Sequence, residues 1–225
     1  MKADVLEQIV DDYLQFKGYF TTHNVRFRPS PDHPDYVRSD DDFGSDIDVV
    51  AINPRAPTGT DSVLVVSCKA WQNGFNTSKE LAKLQGNAAS HGKKAWKGFR
   101  ELWVHKWSEA FNDAIHDLTG ATTFGYRIAV TRLRGKKTAD DWANEPTIKA
   151  NLGGCSFDFL TLETMWGDIL PRLTTAPAFS DIGRLAQLLK AAGLTAASQV
   201  AEPVKPAAGS AAAVAEDAEN AEDVS

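Results

Sequence analysis

Two short runs dominated by valine and isoleucine, residues 47–52 and 62–69, most constrain how this chain can fold. Each is short, rich in β-branched residues and bounded by turn formers, so each reads as a strand. The connection between them holds Pro54, Pro57 and Gly59, which predicts a hairpin. The first run lies within Gly44-Ser45-Asp46-Ile47-Asp48-Val49-Val50-Ala51, and the second ends Val65-Val66-Ser67-Cys68-Lys69. Acids inside such strands are poor strand formers and expensive to bury. Side chains alternate along a strand, so Asp46 and Asp48 are expected on one face, with Ile47 and Val49 on the other. Ser67 and Lys69 share a face of the second strand, and the hairpin brings Asp48 and Lys69 together at the strand ends.

Around this hairpin the pattern predicts helices on both sides. Leu6, Ile9, Val10, Tyr13 and Leu14 follow helical spacing, with Gly18 as the stop. Residues 19–20 and 25–28 are strand-like, closed by Pro29 and Pro31, and a polar loop follows over 32–42. Thr77-Ser78-Lys79-Glu80 has the spacing of a capping box, and helical periodicity then runs to about Leu118 with a break at 90–92. Strands are expected at 124–133 and 156–161, and helices at 162–170 and 181–192. This order implies an α/β sandwich with a mixed central sheet.

From about Thr195 the chain is Ala-rich, with Pro203, Pro206 and scattered acids, and offers too little apolar surface to offset the entropy of ordering. The expected organisation is one domain over 1–194 and a disordered acidic tail over 195–225. The last 25 residues hold six acids against Lys205, so most of the net charge of −6 belongs to the tail. Residues 1–62 carry 12 acids and 6 bases, whereas 79–137 carry 12 bases and 5 acids. Such separation sets an acidic cluster against a basic surface. No apolar run is long enough for a membrane span, and the N-terminus turns acidic before any apolar stretch builds. Cys68 and Cys155 make neither a disulfide framework nor a Cys-rich zinc site. A cytoplasmic protein with no membrane partner is the expectation.

A lysine ending a Val-rich strand and facing carboxylates across a hairpin suits a metal-dependent phosphodiesterase. The carboxylates hold Mg²⁺ (or Mn²⁺), the metal acidifies a bound water, and the lysine steadies that water or the charged phosphorane. Each part alone has a plainer reading. Glu7 can satisfy a helix dipole, Asp46 and Asp48 can cap a turn after Gly44, and Lys69 can snorkel from a strand end.

Over roughly residues 5–170 the chain resembles the PD-(D/E)xK nuclease superfamily, in the flavour of its Mrr-type restriction and Holliday-junction-resolvase branches. The resemblance rests on the first helix bearing Glu7, the acids of Ser45-Asp46-Ile47-Asp48-Val49-Val50, and the lysine of Ser67-Cys68-Lys69. It implies a restriction-endonuclease-like three-layer sandwich with a mixed central sheet flanked by helices. It also implies a metal-dependent DNA endonuclease acting in restriction, defence or DNA repair. Carried over residue by residue, the site is Glu7, Asp48, position 67 and Lys69, with the Cys68 backbone carbonyl as a further metal contact. The chain departs from the pattern at Ser67, where the family normally has an acid or Gln. Asp46, an acid or amide of the next helix (Glu80 or Gln85), or water held by Ser67 could take its place. Glu80 already has its expected work in the capping box, which favours Asp46 or Gln85.

The basic residues Lys93, Lys94, Lys97, Arg100 and Lys106, with Arg127, Arg132, Arg134, Lys136 and Lys137, could follow a phosphate backbone. Trp96, Phe99, Trp103, Trp107 and Phe111 interleave at spacings of three and four, the pattern of a helix packed on a sheet. No phosphate loop or GxGxxG motif is present. No separate recognition domain is visible, so specificity must come from loops, a homodimer or a partner subunit. The competing reading, from a different class, is a catalytically impaired nuclease-fold protein acting as a DNA-binding or assembly module.

Overall fold

Helix α1 (Val5–Phe16) begins at the Asp4 carboxylate, which accepts the Leu6 amide at 2.7 Å, and the chain leaves it through Gly18 at φ 92°. The computed structural model describes residues 4–57, 59–86, 89–90, 93–176, 178 and 180–194, and the tail expected from 195 lies outside them. After α1 the chain forms β1 (Phe20–Phe27), the one-turn α2 (Arg38–Asp41), β2 (Ser45–Ile52) and β3 (Val63–Lys69). Helices α3 (Thr77–Gln85), α4 (Arg100–Trp103) and α5 (His105–Thr119) lead to β4 (Gly125–Val130). Helices α6 (Ala139–Ala143) and α7 (Pro146–Leu152) lead to β5 (Ser156–Thr161), and α8 (Leu162–Ile169) and α9 (Asp181–Ala191) follow. Two minor pairs, Phe75–Asn76 with Leu133–Arg134 and Ala89–Ser90 with Lys93–Lys94, lie outside the main sheet.

The main sheet has the order β1-β2-β3-β4-β5. Its first two pairings are antiparallel and its last two parallel, so the sheet is mixed, as expected. Parallel neighbours need crossovers, which α3–α5 and α6–α7 supply. Those crossover helices bury one face, through Val50, Val65, Tyr126, Ile128 and Phe157. Helices α1 and α8 bury the other, over Val49, Ala51, Val66 and Ala129. The result is an α/β sandwich of three layers.

The core of the first face is aromatic. Of the aromatic stripe, Phe99, Trp107 and Phe111 are buried and Trp96 and Trp103 pack partly buried against them, so the stripe faces the core, as its spacing predicts, and Phe75 joins it. Trp142 of α6 stacks on Phe157 at 5.9 Å and meets Phe75 at 5.6 Å. Such pairs add about 0.5–1.5 kcal/mol beyond area burial.

Local structure departs from expectation in three places. Helix α3 is capped by Asn76, which accepts the Lys79 amide at 3.0 Å, rather than by Thr77. Thr77 instead donates to the Arg134 carbonyl at 3.2 Å, and Glu80 pairs with Lys83 at 2.8 Å. The long helical segment expected up to Leu118 is broken into α3, the short pair at 89–94, a 3₁₀ turn (Ala95–Gly98), α4 and α5. Gly86 and Gly98 interrupt it, and Val104 is extended at the start of α5. Helices α6 and α7 were not expected, although Thr138 and Asp141 form a reciprocal capping box at the head of α6.

The polar segment between β1 and β2 is pinned by one carboxylate. Asp41 is wholly buried and accepts from the Val37 amide at 2.7 Å, from Trp107 Nε1 at 2.9 Å and from Lys106 Nζ. Burial alone would raise its pKa, but these three donors outweigh it and hold the carboxyl below its ordinary value. Its contribution to stability is therefore present above pH 3.8 and is lost as pH falls below that value. Asp41→Ala strands Lys106 and the Trp107 indole, and is expected to cost about 3–5 kcal/mol in urea unfolding at pH 7. A loss under about 0.5 kcal/mol would show that this carboxylate does not anchor the segment.

Candidate active site

The antiparallel ladder of β2 and β3 runs from Ile52 opposite Val63 to Val49 opposite Val66, and there it stops. One step further the strands part, and the Asp48 carboxylate takes over by accepting the Cys68 amide at 2.5 Å. The Ser67 hydroxyl is a hydrogen-bonding neighbour of the same carboxylate. Asp48, Ser67, Cys68 and Lys69 are thus brought together at the parting of the strands, as the hairpin implies.

The alternation expected around Asp48 does not hold. Ile47 packs with the aromatic core and Val49 with the α1 core, although they stand two residues apart. The strand turns over at Asp48, beside Asn24 of β1, a non-glycine residue at φ 53°. Asp46 consequently does not accompany Asp48 inward. It is exposed and lies 3.7 Å from Arg26 on β1.

Electrostatically the site is a pair of carboxylates only partly relieved, Asp48 by Lys69 and its hydrogen-bond donors and Glu7 by His23. The Asp48 pKa is raised, first by burial and then by Asp46, against the lowering effects of the Cys68 amide, Lys69 and Ser67. Glu7, in the first turn of α1, is raised by burial, by Asp48 and by Asp4. Burial and these same carboxylates push the Cys68 thiol far up, which leaves it inert as a nucleophile. The Lys69 ammonium lies over the Phe99 ring, 5.5 Å from its centroid. Lys69 attracts Asp48 without forming an ion pair with it.

The candidates to replace the acid at position 67 lie elsewhere. Gln85 is exposed near the end of α3, in a surface hollow with Lys137, Asp141 and Glu145. Glu80 is engaged by Lys83. Among the described residues no group of three His, Cys, Asp or Glu stands close enough to hold a metal ion.

Sequence reasoning passed over Glu101 and Tyr126. The Tyr126 hydroxyl donates to Glu101 at 2.5 Å, Glu101 is 7% exposed, and Tyr126 is wholly buried. Burial and the Glu101 charge hold the phenol well above its usual pKa, and Ser67 is its hydrogen-bonding neighbour as well. Tyr126 and Glu101 are thus hydrogen-bonded beneath the site, with Ser67 near both the phenol and Asp48. A single acid within an aromatic run and a single tyrosine within an apolar strand carry no periodicity to announce this.

Beside Lys69 opens a broad groove lined by Trp71, Phe99 and five cations, Lys79, Lys83, Lys94, Lys97 and Arg100, with Glu80 as its one acid. Asp40 of α2 reaches this wall, at 2.8 Å from Lys97 and 3.8 Å from Lys94. The Arg100 guanidinium lies over Trp107 at 4.5 Å, and one of its nitrogens donates to the Phe43 carbonyl at 3.4 Å. Arg132 and Arg134 are exposed beside the 71–74 turn, where Arg134 donates to the Asn73 carbonyl at 3.3 Å. Lys93 lies in the short pair at 89–94, and Lys136 is exposed next to Lys137, which pairs with Asp141 at 2.9 Å. Two of the expected basic residues are elsewhere. Arg127 binds the Tyr126 carbonyl and Ser156, and Lys106 is committed to Asp41.

No family model matches this chain, and no curated protein matches it. Among solved structures it is similar to a crystal structure described as "Protein of Unknown Function AF1548", at 14% identity, covering 85% of this chain and 79% of that one, with a TM-score of 0.36. A superposition that loose carries no argument about fold or function.

Because the Asp48 pKa is raised in the fold, stability falls as pH rises past the ordinary value of 3.8. Asp48→Asn keeps an acceptor for the Cys68 amide and removes the buried charge. It is expected to raise Tm at pH 7 by about 2–4 °C, with the gain vanishing near pH 3.8. A lower Tm at pH 7 than wild type would show that the Asp48 charge is satisfied in the fold.

Proposed function

We propose that this protein is a metal-dependent nuclease of the restriction-endonuclease-like fold, hydrolysing phosphodiester bonds in DNA. The observation that carries this reading is the Asp48 carboxylate at the parting of β2 and β3, within electrostatic reach of Glu7 and Lys69 and beside a cationic groove. A structural role accounts for Asp48 as the acceptor of the Cys68 amide, but not for its charge close to a second carboxylate. Two carboxylates that repel each other, one of them largely desolvated, oppose folding.

The reaction needs a divalent cation. Glu7 and Asp48 supply two carboxylates and no third acid accompanies them among the described residues. That fits Mg²⁺ (or Mn²⁺), which keeps several waters and binds through one or two carboxylates plus substrate phosphate. It does not fit a metal that needs a closed cage of protein ligands. Glu7 and Asp48 would hold the ion, with the Cys68 carbonyl as the neighbouring backbone oxygen. When bound, the ion acidifies a water and offsets charge on the phosphate.

The chain's own residues do the rest. Lys69 presents a cation to the scissile phosphate, held over the Phe99 ring rather than neutralised by an acid. Ser67, near both Asp48 and Tyr126, places a hydroxyl beside the Asp48 carboxylate. The Cys68 amide fixes the same carboxylate from the strand side. The cations along the groove receive the backbone phosphates on either side of the cut.

A second reading is favoured by one observation, the hydroxyl of Ser67 where an acid is usual. It makes the chain a DNA-binding or assembly module that has lost catalysis. Plasmid cleavage with Mg²⁺ or Mn²⁺ separates the two. Wild type is expected to nick or linearise negatively supercoiled plasmid, which offers unpaired stretches, and Asp48→Asn and Lys69→Ala to lose at least about 100-fold in rate, or 2.7 kcal/mol, while remaining folded. Mn²⁺ should raise the Tm of wild type but not of Asp48→Asn. Cleavage by Asp48→Asn at the wild-type rate would sink the active-site assignment. DNA binding without cleavage under every metal would establish the second reading.

A further inference from the structure

We infer that the groove beside Lys69 takes a single-stranded segment of nucleic acid, with one unpaired base stacked on Trp71. This rests on the nucleic-acid reading of the site above and specifies which form of substrate the groove accepts.

Two residues after Lys69 the chain makes a tight turn in which the Trp71 amide donates to the Lys69 carbonyl at 2.7 Å. The Trp71 carbonyl accepts from the Gly74 amide at 2.8 Å and from Thr131 Oγ1 at 2.8 Å. Gly74 sits at φ 78°, and a Cβ there would come within 2.6 Å of Arg132 Cγ, so the turn is closed tightly on its neighbour. The indole is therefore carried on a rigid support, in a fixed relation to Lys69.

The ring itself is half used. One face lies on Phe75, centroids 5.2 Å apart and planes at 21°, and Phe75 is wholly buried. Trp71 is 39% exposed and lines the groove. Among the described residues its Nε1 has no hydrogen-bond partner. A large aromatic ring left open to solvent beside five cations suits neither a core nor an ordinary charged surface. It suits the pattern of single-strand binding sites, in which cations track the phosphates and an aromatic face receives a base.

Duplex DNA fits this arrangement poorly, because its bases are stacked on one another and offer no free face to the indole. A single strand, a flap or a melted end offers one. Lys94 and Lys97 lie over the Trp96 ring at 5.8 and 5.5 Å, so the groove wall holds its charges in place for the adjoining phosphates.

The test is binding in EDTA, where cleavage is silent, measured by fluorescence anisotropy on the full chain. The probes are a labelled oligo(dT) and a blunt duplex of matched length. Wild type is expected to bind oligo(dT) more tightly than duplex. Trp71→Ala should weaken oligo(dT) binding about tenfold and duplex binding by less than about twofold, whereas Trp71→Phe should keep most of the oligo(dT) affinity. Unchanged oligo(dT) binding by Trp71→Ala would overturn the inference. So would equal losses on both probes, or failure of folded wild type to bind oligo(dT). Because no metal is present, loss of catalysis in Asp48→Asn bears on the nuclease reading alone. The Trp71 result bears on the form of the substrate alone.

Discussion

Everything at this site follows from one substitution of partners, in which a side-chain oxygen replaces a backbone oxygen. Where the β2–β3 ladder ends, the Cys68 amide would be left without its strand partner, and the Asp48 carboxylate accepts it. A buried amide left unpaired would cost about 1–3 kcal/mol, so the strands can separate only because Asp48 is there. The separation makes room between the strand ends and leaves Ser67 and Lys69 on the open side. It also places the aspartate where its charge is least welcome, near Glu7 and away from bulk water. Structure and strain thus come from the same atom.

The aromatic layer makes this strain tolerable. Phe75, Phe99, Trp107, Trp142 and Phe157 fill the space between the sheet and the crossover helices. Each contributes on the order of 2–3 kcal/mol by burial alone, more than one unfavourable carboxylate is expected to withdraw. Some of these rings also form the floor of the groove. Phe99 lies under the Lys69 ammonium, and Phe75 lies under Trp71. The core and the charged surface are two sides of the same rings.

Much of this was legible in the sequence. The strands at 47–52, 62–69 and 156–161, the first helix and the mixed sheet announce themselves through β-branched runs, helical spacing and turn residues. The juxtaposition of Asp48 with Lys69 follows from the hairpin alone. The orientation of Asp46 was not legible, because it depends on a turn in β2 beside the left-handed Asn24, and alternation assumes an even strand. Helices α6 and α7 are too short for periodicity to reveal, and Trp142 belongs to the core through tertiary packing alone. Glu101 and Tyr126 meet across 25 positions by way of a crossover. Only the fold makes them partners.

Asp40 gives the groove a property that its count of lysines would conceal. Its carboxylate lies 2.8 Å from Lys97 and 3.8 Å from Lys94, in the place a backbone phosphate would take. The Lys97 hydrogen bond and the two lysine charges hold its pKa below the ordinary value, so it stays ionised at neutral pH. Under the proposed function, a polyanion entering here would exchange one carboxylate for one phosphate at those lysines. Most of the electrostatic work at that contact would be isoelectric exchange inside the protein, with a correspondingly small release of salt counterions. Affinity in this groove would then respond less steeply to ionic strength than its basic residues alone imply.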